Sequence, residues 1–237
     1  MIALLTVSQA LRQVGVTRLA HFTPSKNLVH ILRDDAIRSS KDLAENAPEY
    51  FSPTDRQRFD QHPDKVCCSF EFPNGYYLAK ARGKTEYVNY PNWLCLLLDI
   101  KLAERPDTLF SVCNAATGGG AYLQAGGKAV LACYASTVGP WSRRQRHHPL
   151  AATDLQAEVL VPGPIDLSHL HGIVVPSAEA AANEFGRLET LGVNRDGLRW
   201  IVAPVFFDRD LLSATLRFGG RIEERDWSPP TAGGGTT

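Results

Sequence analysis

Hydrophobic positions along the chain fall into short runs of two kinds, and their spacing separates helices from strands. Leu4, Val7, Leu11 and Val14 recur at intervals of three and four, which predicts a short amphipathic helix packed on the domain. Residues 18–22 (RLAHF) read as a short strand. Thr23-Pro24 reads as a helix N-cap followed by proline at the first helical position, with Leu28, Ile31, Leu32 and Ile37 on the apolar face of that helix. Residues 40–65 are polar, carry Pro48, Pro53 and Pro63, and read as a long surface segment.

Residues 66–72 alternate weakly and predict a strand. Residues 93–100 (WLCLLLDI) are a short continuous apolar run, the mark of a buried strand. Residues 117–127, with Gly118 to Gly120 and then Gly126-Gly127, predict a flexible loop. Further strands are expected at 157–161, 172–175 and 200–207, with a helix over 178–191 that Ser177 caps and Glu179 favours in its first turn. The final ten residues, SPPTAGGGTT, predict a disordered tail over 228–237. No repeat is visible, and the regular βα alternation of a doubly wound sheet is missing. The expectation is a single α+β domain over residues 1–227.

Composition narrows the function classes. Twenty-five Lys+Arg balance 25 Asp+Glu in 237 residues, which excludes a generally basic nucleic-acid coat. At 44% hydrophobic and 21% charged, the chain is not a disordered polar tail. The zero is uneven along the chain. Residues 1–153 hold 18 basic and 13 acidic residues, residues 154–237 hold 7 and 12, and residues 1–33 and 108–153 hold no acid at all. No run approaches the roughly 18–20 apolar residues of a membrane span, and the N-terminus lacks the pattern of a signal peptide. Five cysteines (67, 68, 95, 113 and 133) form no C-x-x-C pair, and the histidine pairs 147-148 and 169-x-171 have no cysteines at ligand spacing. Free thiols in a reducing cytoplasm and no metal site are therefore expected.

Three features carry candidate chemistry. His21-Phe22-Thr23 sits at an expected strand-to-helix junction, where free backbone N–H groups suit an anionic or amide-bearing ligand; a core histidine with a simple cap is the alternative. Glu158 begins an apolar strand. Alternation sets Ala157, Val159 and Val161 on one face, with Glu158 and Leu160 on the other. A buried carboxylate there is costly unless paired or functional, whereas an edge-strand glutamate would simply face water. Arg143, Arg144 and Arg146 lie in the acid-free stretch just before that strand and are candidates for phosphate contacts or for a solvated loop. Trp141, Tyr134 and Tyr122 are candidate stacking platforms for a base, with core packing as the alternative.

Taken in order, five blocks resemble the DarT family of NAD-dependent ADP-ribosyltransferase toxins acting on single-stranded DNA. They are His21-Phe22-Thr23 with Asn27-Leu28 and Ile31-Leu32; Ser69-Phe70-Glu71-Phe72-Pro73-Asn74; residues 93–99; Cys113-Asn114-Ala115-Ala116; and residues 153–161. The similarity runs from about residue 18 to about 207. It implies an α+β fold of the ADP-ribosyltransferase type, in which two small sheets with flanking helices enclose an NAD cleft. By the same match, His21 and Thr23 hold the nicotinamide amide and adjoining ribose, Phe22, Asn27 and Asn74 belong to the cofactor side, and Glu158 is catalytic. Arg143, Arg144, Arg146 and Trp141 are the candidates for the DNA strand.

Asn74 stands where thymidine-modifying members carry an arginine, which points to guanine as the alternative base. Asp35 replaces a common glycine, and Gly75-Tyr76-Tyr77-Leu78 replaces a segment richer in Met and basic residues. The resemblance further implies the toxin half of a toxin–antitoxin pair, with a macrodomain-type antitoxin. Transfer to RNA, protein or a small molecule, hydrolysis of NAD, and a non-enzymatic nucleic-acid-binding module are the other readings.

Overall fold

A computed structural model describes residues 5–49, 58–84 and 92–230. The chain begins with α1 (Val7–Val14), closed at its start by a reciprocal cap. Gln9 N–H donates to the Thr6 hydroxyl and Thr6 N–H donates to the Gln9 side chain, so two otherwise orphaned donors are satisfied. Gly15 ends the helix in the left-handed conformation. Leu4, the first residue of the expected helical face, lies outside the described residues.

Most of the remaining elements build one sheet or cover it. In chain order they are β1 (Arg18–Pro24), α2 (Leu28–Arg33), β2 (Ala36–Ile37), α3 (Ser40–Asn46), β3 (Lys65–Phe70), α4 (Gly75–Arg82) and β4 (Trp93–Asp99). Then come β5 (Leu109–Ser111), β6 (Leu123–Gln124), α5 (Gly127–Cys133), β7 (Thr137–Val138), β8 (Trp141–Ser142), β9 (Glu158–Pro162) and β10 (Ile165–Asp166). The last are β11 (Leu170–Val175), α6 (Ala178–Thr190), β12 (Trp200–Val202), α7 (Arg209–Phe218) and β13 (Arg225–Trp227).

Among the described residues a nine-stranded sheet runs β13-β12-β11-β4-β1-β3-β9-β5-β6, antiparallel at each pairing except β11–β12. The apolar run at 93–99 is its buried strand β4. Leu94, Leu96 and Leu98 enter the main core on one face, and Cys95 and Leu97 enter a second core under α7 on the other.

The joint between β1 and β3 decides where a ligand can sit. β1 pairs with β4 along all seven residues but with β3 at only two, Leu19↔Phe70 and Ala20↔Ser69. Beyond Ala20 the two strands part, and the gap is spanned by the His21 Nδ1 bond to the Cys67 carbonyl at 2.8 Å. The expected pair of small sheets thus takes the form of two halves of one sheet, held by a short hinge. At its closed end Glu71, at φ 57°, accepts from Thr17 N–H at 2.9 Å, and Arg18 Nε donates to the Glu71 carbonyl at 3.1 Å. The sheet is therefore pinned on one side and open on the other.

Several expectations change locally. Thr23 is not a helix N-cap: it stays in register with Leu94 on β4, and the chain remains extended through Pro24. A 3-10 turn (Ser25–Asn27) follows, and the helix starts at Leu28. Ladder pairing outweighs the local cap signal, and proline at the end of a strand sacrifices no ladder donor. The polar segment 40–65 is partly helical, because Ser39 caps α3 by accepting from Asp42 N–H. Within the glycine-rich stretch 117–127 lie a 3-10 turn (Thr117–Gly119) and the short strand β6. A Cβ at Gly127 would collide with the Leu5 and Thr6 carbonyls, so glycine is what lets α5 start against α1. The last expected strand stops at Val202, where Ala203-Pro204 turns the chain into a 3-10 helix (Pro204–Phe207). Ser177 caps α6 as expected, accepting from Ala180 N–H at 3.0 Å. Of the expected disordered tail, residues 231–237 lie outside the described residues.

Candidate active site

The open side of the β1–β3 joint is a cavity of about 540 Å³. His21, Phe22, Thr23, Asn27, Asn74 and Glu158 all line it, so the fold gathers three blocks spread over more than 130 residues.

Glu158 enters from the first residue of β9, paired with Ser111 of β5. The alternation of this strand sends Ala157, Val159 and Val161 into the main core and turns Glu158 to the cleft, where only 7% of it is exposed. Three donors meet its carboxylate. Asn74 Nδ2 and Asn114 Nδ2 each donate to Oε1 at 3.3 Å, and Ala115 N–H donates to Oε2 at 2.9 Å. Burial pushes the Glu158 carboxyl up to about 7, and Asp60 adds to the rise. The Ala115 and Asn74 bonds and the Arg58 charge oppose it without cancelling it. A carboxyl balanced near neutrality can both stabilise positive charge and accept a proton.

His21 faces the same cavity in its neutral form, because burial lowers its pKa. Its Nδ1 donates to the Cys67 carbonyl, which leaves Nε2 as an acceptor. Thr23 is held by Asn27, whose Nδ2 donates to the Thr23 hydroxyl at 3.0 Å. Phe22 packs against Tyr77 and Trp93, at 5.7 and 5.9 Å between ring centres, and so ties β1 to α4.

A further wall of the cavity holds Arg58, Phe59 and Asp60. The Arg58 guanidinium grips the buried Asp60 carboxylate at 2.9 Å and donates to the carbonyls of His62 (2.8 Å) and Lys65 (3.2 Å). These residues sit in a proline-rich polar stretch whose spacing carries no signal. Asn114 lies in one of the five matched blocks, yet only the β5–β9 register brings it under Glu158.

The arginine run is arranged differently. Trp141, Arg143, Arg144 and Arg146 are absent from the cavity lining. Arg143 donates to the carbonyls of Ala151 (2.6 Å), Pro149 (3.2 Å) and His148 (3.3 Å), and its guanidinium lies 5.6 Å from the Tyr134 ring centre. It braces the turn that leads to Glu158. Arg144 and Arg146 are exposed. The Arg217 guanidinium stacks on Trp141 at 4.0 Å, and Arg144 lies 6.0 Å over Phe218. Tyr134 is spent on packing, its hydroxyl donating to the Leu150 carbonyl at 3.2 Å, whereas Tyr122 is exposed.

The sequence model of the family described as single-stranded-DNA thymidine ADP-ribosyltransferase, DarT, matches residues 20–201, a span that holds both His21 and Glu158. The chain belongs to the DarT family. Solved DarT structures share the fold. Thermus sp. 2.9 DarT in complex with NAD+ is 16% identical with a TM-score of 0.54, covering 81% of this chain and 97% of that one. The same DarT in complex with ADP-ribosylated single-stranded DNA gives a TM-score of 0.51 at 16% identity, with the same coverage. Thermosipho africanus DarTG in complex with ADP-ribose is 15% identical with a TM-score of 0.54, covering 80% of this chain. The present chain spans only 50% of that DarTG chain. No curated protein sequence matches.

Proposed function

We propose that this chain is an NAD-dependent ADP-ribosyltransferase that transfers ADP-ribose from NAD to a base of single-stranded DNA and releases nicotinamide. The observation that carries this reading is Glu158: a buried carboxyl held by three donors in a cavity it shares with a neutral histidine, in a member of the DarT family.

The residues present fit NAD. The cavity volume falls in the usual range of small-molecule sites. The His21 Nε2 acceptor suits a carboxamide N–H, the Thr23 hydroxyl suits a ribose, and the exposed Lys80 at the rim suits a phosphate. Cleavage of the bond to nicotinamide develops positive charge at the anomeric carbon. Ionised Glu158 stabilises that charge. It also receives the proton of the attacking base nitrogen. Single-stranded DNA offers the base without the cost of flipping it from a duplex.

The family's description names thymidine, whereas Asn74 at the position of the arginine favours guanine. Arg144, Arg146 and Trp141 are proposed to guide the strand outside the cavity. A toxin role, a macrodomain-type antitoxin that removes ADP-ribose, and a cytoplasmic setting complete the reading. The likeness to DarTG supports a toxin role with an antitoxin partner, and the five free cysteines suit a reducing compartment.

Labelled NAD with a panel of single-stranded oligonucleotides tests the proposal. Label should appear on DNA with the wild type and be lost in Glu158→Ala, and mass spectrometry of the nucleosides should name the base. Nicotinamide release without DNA labelling would move the assignment to hydrolysis or another acceptor.

A further inference from the structure

The Glu158 carboxylate is gripped asymmetrically. Among the described residues, both side-chain donors converge on Oε1, from Asn74 and Asn114 at 3.3 Å each, while Oε2 receives the Ala115 N–H alone, at 2.9 Å. A carboxylate oxygen has two lone pairs in its plane. Oε1 is therefore saturated, and Oε2 keeps one acceptor position.

The orientation of both amides is dictated by their other ends. Asn74 Oδ1 accepts from Tyr77 N–H at 3.0 Å as the cap of α4, and Asn114 Oδ1 accepts from Ala116 N–H at 3.1 Å. An amide whose oxygen already receives a backbone N–H must turn its NH2 the other way, here towards Glu158. A proton on Oε1 would face two N–H donors and displace at least one of them. A proton on Oε2 leaves both in place.

We infer that Asn74 and Asn114 form a two-amide fork that saturates Oε1 and makes Oε2 the oxygen through which Glu158 exchanges its proton, with Asn114 a positioning residue for the transfer. The inference rests on the function proposed above. In the step it describes, the proton of the target N–H passes to Oε2, and the nitrogen's electron pair forms the bond to the anomeric carbon. The bond to nicotinamide breaks, its electron pair leaves with nicotinamide, and Oε2 returns its proton to solvent.

The two asparagines differ as experimental handles. Asn74 is 1% exposed and caps α4, so its loss would disturb the fold. Asn114 is half-buried in the turn after β5, so Asn114→Ala reads the fork with less collateral change.

The first experiment is a carbon-13 NMR titration of the Glu158 carboxyl in the wild type and Asn114→Ala, assigned with Glu158→Gln. A donor to the ionised form lowers a carboxyl's pKa, so its removal should raise the midpoint, by about one unit. From a start of about 7, the ionised fraction at pH 7 then drops about fivefold. The acidic limb of kcat/KM for NAD should move up by the same amount, with recovery towards the wild-type rate above about pH 9. Asn114→Asp, which keeps the side-chain shape but sets a second carboxyl on Oε1, should raise the midpoint further and serves if the alanine variant does not fold.

An unmoved midpoint, or a loss of rate equal at all pH values, would overturn the fork. A crystal structure with a non-cleavable NAD analogue should show a ligand donor on Oε2, and a donor on Oε1 would also overturn it. If the wild type releases no nicotinamide, the functional reading fails, while the titration still reports whether the fork exists.

Discussion

Glu158 and Arg143 lie 15 residues apart and lead the same turn into the same strand, yet their hydrogen bonds serve opposite ends. Around Glu158, three donors from two separate segments point at one side chain that lines a cavity. Around Arg143, one side chain points at three backbone carbonyls of its own loop and keeps little to offer a ligand. A charged residue in a suggestive place is therefore functional or structural according to where its polar atoms are spent. The first cluster holds a carboxylate at the wall of a cavity, and the second holds the turn before β9.

Glu158 carries the largest expected effect. Glu158→Ala should lower nicotinamide release and DNA labelling by on the order of 10²–10⁴, because charge stabilisation and proton acceptance are lost together. A variant within a few-fold of the wild type would remove Glu158 from the chemistry. In the wild type, kcat/KM should rise with pH through about 7 as the carboxyl ionises, and a flat profile there would contradict its role.

Next in size is a stability effect of the same residue. The folded carboxyl titrates near 7, above its ordinary 4.5, so the folded state binds the extra proton between those values. Stability should thus decline as pH rises from about 4.5 to about 7. Above that window Glu158→Gln should be the more stable protein by roughly 3 kcal/mol, a gain that vanishes below about pH 4.5. Denaturant titrations of the two proteins at pH 4 and pH 8 measure this directly, and equal stabilities at pH 8 would refute a buried, strained carboxyl.

The smaller effects separate Arg143 from its neighbours. Arg143→Ala strips donors from three carbonyls and should cost about 1–3 kcal/mol of stability. Arg144→Ala and Arg146→Ala should leave the melting temperature within a degree or so. If either touches the DNA backbone, it should reduce the salt dependence of oligonucleotide binding by about one unit of slope. Should Arg143→Ala leave stability intact and abolish salt-dependent binding instead, the contrast drawn above would be reversed.

Much of this was legible in the chain. The continuous run at 93–99 carries the mark of a buried strand, and the alternation over 157–161 sets Glu158 opposite Ala157, Val159 and Val161. The five ordered blocks point to His21, Thr23 and Glu158, and the fold sets all three on one cavity. The Thr23-Pro24 signal misled because a local cap preference of about 1 kcal/mol competes with a seven-residue ladder to β4. The Arg58–Asp60 pair gave no signal, since a clamp closed by backbone carbonyls has no spacing rule.

By itself, then, the sequence marked the strands at 18–22, 66–72, 93–99, 157–161 and 172–175, set Glu158 on the opposite face of β9 from Ala157, Val159 and Val161, and through its five ordered blocks pointed to the family. Those properties depend on side-chain type and period, which are local. Only the tertiary structure decided that β1 and β3 pair at two residues and then part. It also decided that Asn74, Asn114 and the Ala115 N–H meet on one carboxylate, and that Arg143 turns inward. Each depends on register and on the direction of hydrogen bonds between segments distant along the chain, and no local pattern encodes either.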